Sequence, residues 1–397
     1  MSTGGDRPVI RVQAGRHKRV RLGHPWIFSN EIEMTAEARA LTPGTEALFV
    51  DQHGSALGSG YFNPHSLIAG RIVARDGAAI DGALIEDRLG RALSLRERLY
   101  DAPFYRLVHS EADALPGLIV DRYGDVLVVQ INAAGMELLT DELIAALRSV
   151  VAPTAILLRN DGSAREQEGL ETEVRWIGTA PEMPIEIVED GTRFLVDLGE
   201  GQKTGWFYDQ RPGRTLVASL AAGASVLDLY CYLGAFGVRA AAAGARGITA
   251  IDRSQPALDL AARAAVLNGV EGLCDFRRAA VFDALEEYAT SGARFDIVVA
   301  DPPAFVRARR DIKSGARGYR KLARLSAKLV AEGGLLFAAS CSHHVGVELF
   351  AEQVRRGLAD AGRTGRILTT GGAGPDHPVH PFLPESAYLK YQLLQLD

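Results

Sequence analysis

From about residue 220 onward the sequence alternates short apolar runs with helical stretches, and this pattern limits the possible folds more than any other feature. "SVLDLYC", "GITAID", "DFRRAA", "FDIVVAD", "GLLFAASC", "RILTTG" and "YLKYQLLQL" read as strands, with helices between the first six. Apolar strands joined through helices imply an α/β fold with a doubly wound, mostly parallel sheet, because crossover helices bury both sheet faces. Within it, "VRAAAAGARG" fits a helix over residues 238–243, closed by Gly244.

The sequence before this region reads differently. A chain of 397 residues is too long for one ordinary core. Residues 1–75 carry short strands ("PVIRV", "EALFV", "LIAGRIVAR") between Gly, Pro and Asn turn signals, which predicts a small β-rich module. Residues 76–180 mix helix and strand into a central α+β domain. "ALIEDRLGRALSLRERLY" and "ELLTDELIAALRSVV" have helical spacing, and "GLIVDRYGDVLVVQI" reads as a hairpin. A second hairpin turns at Asp190-Gly191 and opens the last domain, residues 181–397.

Composition removes several classes. No apolar run reaches 18 residues, so no membrane span is expected. The first twenty residues lack the apolar centre of a signal peptide. Three cysteines in so long a chain do not make a disulfide framework, and a reducing cytoplasm suits them. They are far apart, and His343 adjoins His344 without ligand spacing, so no metal site is expected. The net charge of −5 decides nothing alone, but two stretches are locally basic. One is "RHKRVR", with Arg16, Lys18 and Arg19. The other, residues 306–324, holds Arg307, Arg309, Arg310, Lys313 and Arg317 with three further basic residues and one acid. Such stretches are either phosphate-binding faces or solvated helix faces.

In an open parallel sheet, ligands sit beyond the carboxyl ends of the strands. Three segments end there. "DLYCYLGAFG" begins at Asp228 and carries Tyr230, Gly234, Phe236 and Gly237. "AIDRS" ends a strand at Asp252, followed by Arg253, and a carboxylate there can accept two hydrogen bonds from a ribose diol. Asp283 opens a helix after the third strand. A dinucleotide loop would read G-x-G-x-x-G, to dock a pyrophosphate on a helix N-terminus. An acid-led loop repels phosphate and suits a cation, so S-adenosyl-L-methionine, with its sulfonium and amino groups, fits better. The alternative is that Asp228 and Asp252 only cap helices.

"DPPAF" and "SCSHH" end the next two strands. Cys341 is then a thiolate nucleophile or a small core residue. Methylating carbon 5 of a pyrimidine needs such a thiolate, because addition at carbon 6 makes carbon 5 enolate-like. Asp301 is the matching group to hold a proton at the ring nitrogen. A helix N-terminus after "SCS", or His343 or His344, would lower the thiol pKa. Cys231 and Cys274 read as structural.

These segments resemble a known family. "RLGHPWIFSNEI", "SEADALPGLIVDRYGDVLVVQ", "GQKTGWFYDQRPGR", "DLYCYLGAFG", "AIDRSQPALDLA", "DPPAFV", "GYRKLARLS", "SCSHH" and "YLKYQL" together are similar to the class I S-adenosylmethionine-dependent ribosomal RNA methyltransferases with an N-terminal PUA domain, of the large-subunit cytosine-5 type. The resemblance spans nearly the whole chain. It implies a Rossmann-like catalytic domain behind a PUA-like domain and the central α+β domain. It also implies donor binding at the loop after Asp228 and at Asp252, and a nucleophilic thiol at Cys341. The implied partner is large-subunit ribosomal RNA, held by Arg16, Lys18, Arg19, Arg309, Arg310 and Arg317, with a homodimer as a further candidate assembly. One departure is "AREQEG" in the central domain, where relatives carry basic residues. Two other readings stay open: a guanine or exocyclic-amino methyltransferase, and a non-catalytic RNA-binding protein.

Overall fold

A computed structural model describes residues 7–199, 204–306 and 308–397. Gly201, Gln202 and Lys203 of the "GQKTGW" motif and Arg307 lie outside the described residues. The chain forms two compact units.

The first unit contains two five-stranded sheets. One is built from β1 (Val9–Arg11), β2 (Trp26–Ile27), β3 (Thr45–Val50), β4 (Ala56–Phe62) and β5 (Gly70–Ala74), in the order β1-β3-β4-β5-β2. Its core gathers Ile10, Ile27, Ala47, Phe49, Phe62 and Ile72. The other is built from β6 (Phe104–His109), β7 (Leu118–Tyr123), β8 (Val126–Ile131), β9 (Ala155–Asn160) and β10 (Glu173–Gly178). Strands β7 and β8 form the expected hairpin, with Gly124 supplying the positive φ of 67° that a two-residue turn requires. The helices Gly82–Leu99 and Thr140–Val151 cover this sheet. Ile85, Leu89 and Ala92 fall on one face at helical spacing and join Leu143, Ala146 and Leu147 in its core.

In "AREQEG" the departing residues, Glu166 and Gln167, are exposed, whereas the flanking Glu168 is held inside. It is buried and accepts from Asn63 Nδ2 (3.1 Å), Ser66 Oγ (3.0 Å) and Arg71 (3.1 Å). Arg165, also buried, pairs with Glu137 at 2.9 Å. These residues tie the two sheets of the first unit together, and a buried charge stripped of such partners is costly.

The second unit opens with a hairpin, β11 (Ile185–Glu189) and β12 (Thr192–Val196). Asp190 and Gly191 both take positive φ in its turn, as expected. Seven strands follow: β13 (Ser225–Leu229), β14 (Gly247–Asp252), β15 (Cys274–Arg278), β16 (Phe295–Ala300), β17 (Val330–Ser340), β18 (Gly365–Gly371) and β19 (Lys390–Leu396). Their order is β15-β14-β13-β16-β17-β19-β18. The first five are parallel, and β19 runs antiparallel between β17 and β18. Leu227, Leu229, Val298, Ala300, Leu336 and Ala338 form the centre of the core. Both sheet faces are covered, so the strands read as apolar runs rather than alternating ones. Truncating a residue such as Leu336 to Ala would cost about 2–5 kcal/mol.

The basic stretch lies largely on the helix Ile312–Leu329. Ala316, Tyr319, Leu322, Ala323, Ser326 and Leu329 make its buried face. The charged residues occupy the rest.

Candidate active site

The loop after β13 is shaped by two carboxylates. Asp228 is 1% exposed, and its Oδ2 accepts the Gly237 N–H at 2.9 Å. This bond starts the helix at Ala235, three residues earlier than the spacing predicts; it runs Ala235–Ala242. Gly234, with φ of 69°, makes the turn into it. A Cβ on Gly237 would come within 2.8 Å of Ile248, so the Asp228 bond requires glycine there. Tyr230 and Tyr232 also sit at positive φ, 61° and 49°. Such conformations are costly for non-glycine residues and persist only where the surroundings enforce them. Asp252 is one enforcing group: its carboxylate accepts the Tyr232 N–H (3.0 Å) and the Ser254 N–H (2.9 Å).

Both acids therefore do bind backbone N–H groups, as the capping alternative required. Burial, together with the negative charges of Asp301 and Asp252, pushes the Asp228 pKa up to about 7. Three acids converge on the edge where β13, β14 and β16 end. That field repels phosphate and suits a cation such as a sulfonium. The loop and its acids thus fit S-adenosylmethionine.

The other expected donor contacts scatter. Tyr230 is half-buried, and its ring meets Phe305 edge-on at 6.5 Å. Phe236 turns its ring into the core, 5.3 Å from Phe337, so its side chain serves packing. Arg253 is exposed beside Tyr230. Asp283 is exposed in the first turn of the helix Val281–Ser291.

Asp301 follows the last residue of β16 and is half-buried. The adjacent strand β17 ends at Ser340, and Cys341 follows it. The Cys341 thiol points at the Pro302 carbonyl, with Sγ 4.0 Å from the oxygen. The two serines beside Cys341 are fully buried and point to Tyr319. Ser340 Oγ donates to the Tyr319 hydroxyl at 2.8 Å, and that hydroxyl lies 2.8 Å from Ser342 Oγ. Ser342 Oγ also accepts the Val306 N–H at 3.3 Å. The S-C-S pattern is thus a clamp whose flanking hydroxyls are anchored in the core, with the half-exposed thiol between them.

Burial raises the Cys231 thiol well above the ordinary value and pushes Cys274 up to about 11.

The surroundings of Cys341 correct one expectation. The next helix is Val347–Asp360 and begins six residues beyond the thiol, so it does not place its N-terminus there. His343 stacks its ring on Tyr388 at 4.9 Å, and His344 is exposed. Among the described residues, a cation held at the clamp is Lys390, which sequence reasoning missed. Its register partner is Ser340, and its Nζ donates to the Ser342 carbonyl (2.6 Å) and the Tyr388 carbonyl (2.9 Å). A lysine inside the otherwise apolar "YLKYQLLQL" strand was the available signal. Sequence reasoning also missed Glu189. It is buried and holds Arg214 (2.6 Å), Arg211 (3.3 Å) and Arg239 (3.4 Å), which accounts for both arginines of "RPGR".

Of the basic residues, Arg16 and Lys18 are exposed. Arg19 is engaged by Glu31 at 2.5 Å and covers the Phe28 ring. In the second unit Arg309, Arg310 and Arg317 are exposed. Further along, Arg320 pairs with Asp360 (2.6 Å) and Lys321 with Glu286 (3.2 Å).

Comparison with known proteins agrees with this geometry. Residues 163–367 match the S-adenosylmethionine-dependent methyltransferase family, and residues 10–75 match a PUA-like domain. The chain is 36% identical over 387 residues to ribosomal RNA large subunit methyltransferase I of Alteromonas mediterranea, covering 96% of this chain and 97% of that one. It is 36% identical over 390 residues to the protein of that name from Klebsiella pneumoniae, with the same coverage. Among solved structures, SMU.776, assigned as a methyltransferase and complexed with SAH, superposes with a TM-score of 0.85 over 98% of this chain and all of that one, at 22% identity. The fold is therefore that of the class I methyltransferases. No helix among the described residues is long and apolar enough to cross a membrane. By its catalytic fold, its PUA-like domain and its full-length relatives, the chain belongs to the S-adenosylmethionine-dependent methyltransferases, in the family of ribosomal RNA large subunit methyltransferase I.

Proposed function

We propose that this chain methylates carbon 5 of a cytosine in large-subunit ribosomal RNA through a transient covalent bond to Cys341. The observation that carries the reading is the half-exposed thiol beside the Asp301-Pro302-Pro303 loop, with both neighbouring serines anchored to Tyr319. The names of the relatives support the substrate class.

The loop over residues 230–237 and Asp252 hold the donor, with Asp252 on its ribose. Bound there, the donor supplies an electrophilic methyl group. Cys341, as thiolate, adds to carbon 6 of the ring, and Asp301 protonates or hydrogen-bonds the ring nitrogen as charge develops. Carbon 5 becomes the nucleophile and would take the methyl group, the methyl–sulfur bond breaking to release S-adenosylhomocysteine. Loss of the carbon 5 proton then breaks the sulfur–carbon bond and returns the thiolate. The target leaves its stack to reach the thiol. The β-rich module over residues 1–75, the central domain over 76–180 and the exposed arginines of the catalytic domain over 181–397 hold the RNA.

Substrate RNA carrying 5-fluorocytosine tests this, because fluorine blocks the proton loss that frees the enzyme. Wild type is expected to form a complex stable to denaturant. Cys341→Ala should abolish trapping and turnover while still binding donor. Methylation by Cys341→Ala at a near wild-type rate overturns the reading in favour of attack from a nitrogen.

A further inference from the structure

Lys390 sits where a charged side chain is unexpected. It begins β19, is 6% exposed, and pairs in register with Ser340 at the end of β17. Two of its three N–H donors are bound by carbonyls, those of Ser342 and Tyr388. The first of these belongs to the residue next to Cys341. The strand pairing and the Ser342 bond together fix the ammonium against the S-C-S segment. A strand position in a packed sheet selects apolar residues, and burying an ammonium there is costly without a compensating charge.

We propose that Lys390 is a positioning residue for the nucleophile: its buried ammonium supplies the positive charge that holds Cys341 as a thiolate. This rests on the reading of Cys341 as the nucleophile. The thiol proton leaves to solvent, the ammonium keeps its own protons, and no bond to Lys390 forms or breaks. When the thiolate is expelled at the end of the reaction, it returns to the same ammonium.

Electrostatics agree with the geometry. Burial pulls the Lys390 pKa down to about 8, and a negative charge on Cys341 opposes that fall. The other ionisable groups nearby come from several elements. Tyr319 lies behind the two serines, and His343 stacks on Tyr388. Asp209 accepts the Tyr388 hydroxyl at 2.5 Å, Tyr391 follows Lys390 on its strand, and Asp301 follows the end of the neighbouring strand β16. Of the two acids in this set, Asp209 is already engaged by Tyr388.

The test is the rate of iodoacetamide alkylation of Cys341 in the full chain between pH 5.5 and 10, followed by mass mapping of its peptide. In wild type the midpoint should lie below the ordinary thiol value of about 8.5. Lys390→Met should raise it by about one pH unit or more and slow alkylation at pH 7 by about tenfold. Lys390→Arg, which keeps a cation, should restore the low midpoint. Donor binding by calorimetry reports whether each variant folds, and Lys390→Gln replaces Lys390→Met if the latter does not.

An ordinary midpoint in wild type overturns the proposal without any variant. So does an unchanged midpoint in a folded Lys390→Met or Lys390→Gln protein. Trapping by 5-fluorocytosine RNA separates the two readings: trapping with an ordinary midpoint removes Lys390 alone, whereas a low midpoint without trapping removes the nucleophile role of Cys341.

Discussion

Asp228 and Gly237, nine residues apart, are joined by a 2.9 Å hydrogen bond that ties the end of β13 to the first turn of the helix behind it. The acid is fully buried and surrounded by negative charge, so its proton is held up to about pH 7. A carboxyl whose folded pKa is raised contributes stability that is present below its ordinary value near 4 and is lost as pH rises through 7. The donor-free protein should therefore lose thermal stability between pH 5 and pH 8. Asp228→Asn keeps an acceptor for Gly237 and removes the charge, so its melting temperature should be flatter over that range. Each tenfold rise in the acid's proton affinity on folding corresponds to about 1.4 kcal/mol. Thermal melts at several pH values measure the difference. A cationic donor favours the ionised acid, so donor affinity should rise with pH across this window in wild type and stay flat in Asp228→Asn.

Asp252 has two tasks, and one substitution removes both. Its carboxylate restrains Tyr232 at positive φ through the backbone N–H, and the proposed function sets it on the donor's ribose. Hydrogen bonds to a charged group contribute about 1.5–3 kcal/mol each, and they add only in part. Asp252→Ala should weaken donor binding by tenfold or more in calorimetry, with the fold retained. Unchanged affinity would remove Asp252 from the donor site.

The strand ends were legible because the chemistry there is local in sequence. "DLYCYLGAFG", "AID", "DPP" and "SCS" each carry a strand and its terminal polar residue in one short run, and a parallel sheet brings such ends to one edge. Lys390 was not legible in the same way. Its meaning depends on β19 entering antiparallel beside β17 in a register that sets it opposite Ser340, 50 residues earlier in the chain. Glu189 was hidden for the same reason, since its arginine partners lie 22, 25 and 50 residues away. Arg19 is a different case. A dense basic run suggests a ligand surface, yet this member's charge is met by Glu31 inside its own module.

RNA binding should depend on the arginines left exposed. Arg309, Arg310 and Arg317 lie on or next to the start of the helix Ile312–Leu329 and are open to solvent, while Arg320 and Lys321 are paired with acids. Neutralising the first three should weaken RNA binding. On single-stranded RNA the slope of log affinity against log salt should fall by roughly 0.7 for each phosphate that is no longer neutralised. Arg320→Gln should change the slope little. Deleting the N-terminal module is a poor test, because Glu168 would lose Asn63, Ser66 and Arg71. Substituting Arg16 and Lys18 leaves those buried bonds intact. Filter binding at several salt concentrations distinguishes these outcomes.

Tyr319 gives a test of how the proposed nucleophile is aimed. Its hydroxyl is buried and links Ser340 and Ser342, the two residues that hold Cys341 between them. Tyr319→Phe keeps the ring, which packs 4.8 Å from Phe305 and 5.6 Å from Phe350, and deletes only the hydroxyl. Two buried serines then lose a partner, at a cost of about 1–3 kcal/mol. Ser342 retains the Val306 N–H, so the segment should loosen rather than unfold. The donor loop lies on β13 and is not bonded to this hydroxyl, so donor affinity should stay within about twofold of wild type. Methyl transfer should fall by about tenfold to a hundredfold, because a misplaced reacting group loses rate steeply with distance. Ser340→Ala combined with Ser342→Ala should reproduce the loss and add little to Tyr319→Phe, since all three act through one cluster of hydroxyls. Equal losses in donor binding and turnover would mean that Tyr319 supports the whole domain and not the aim of Cys341.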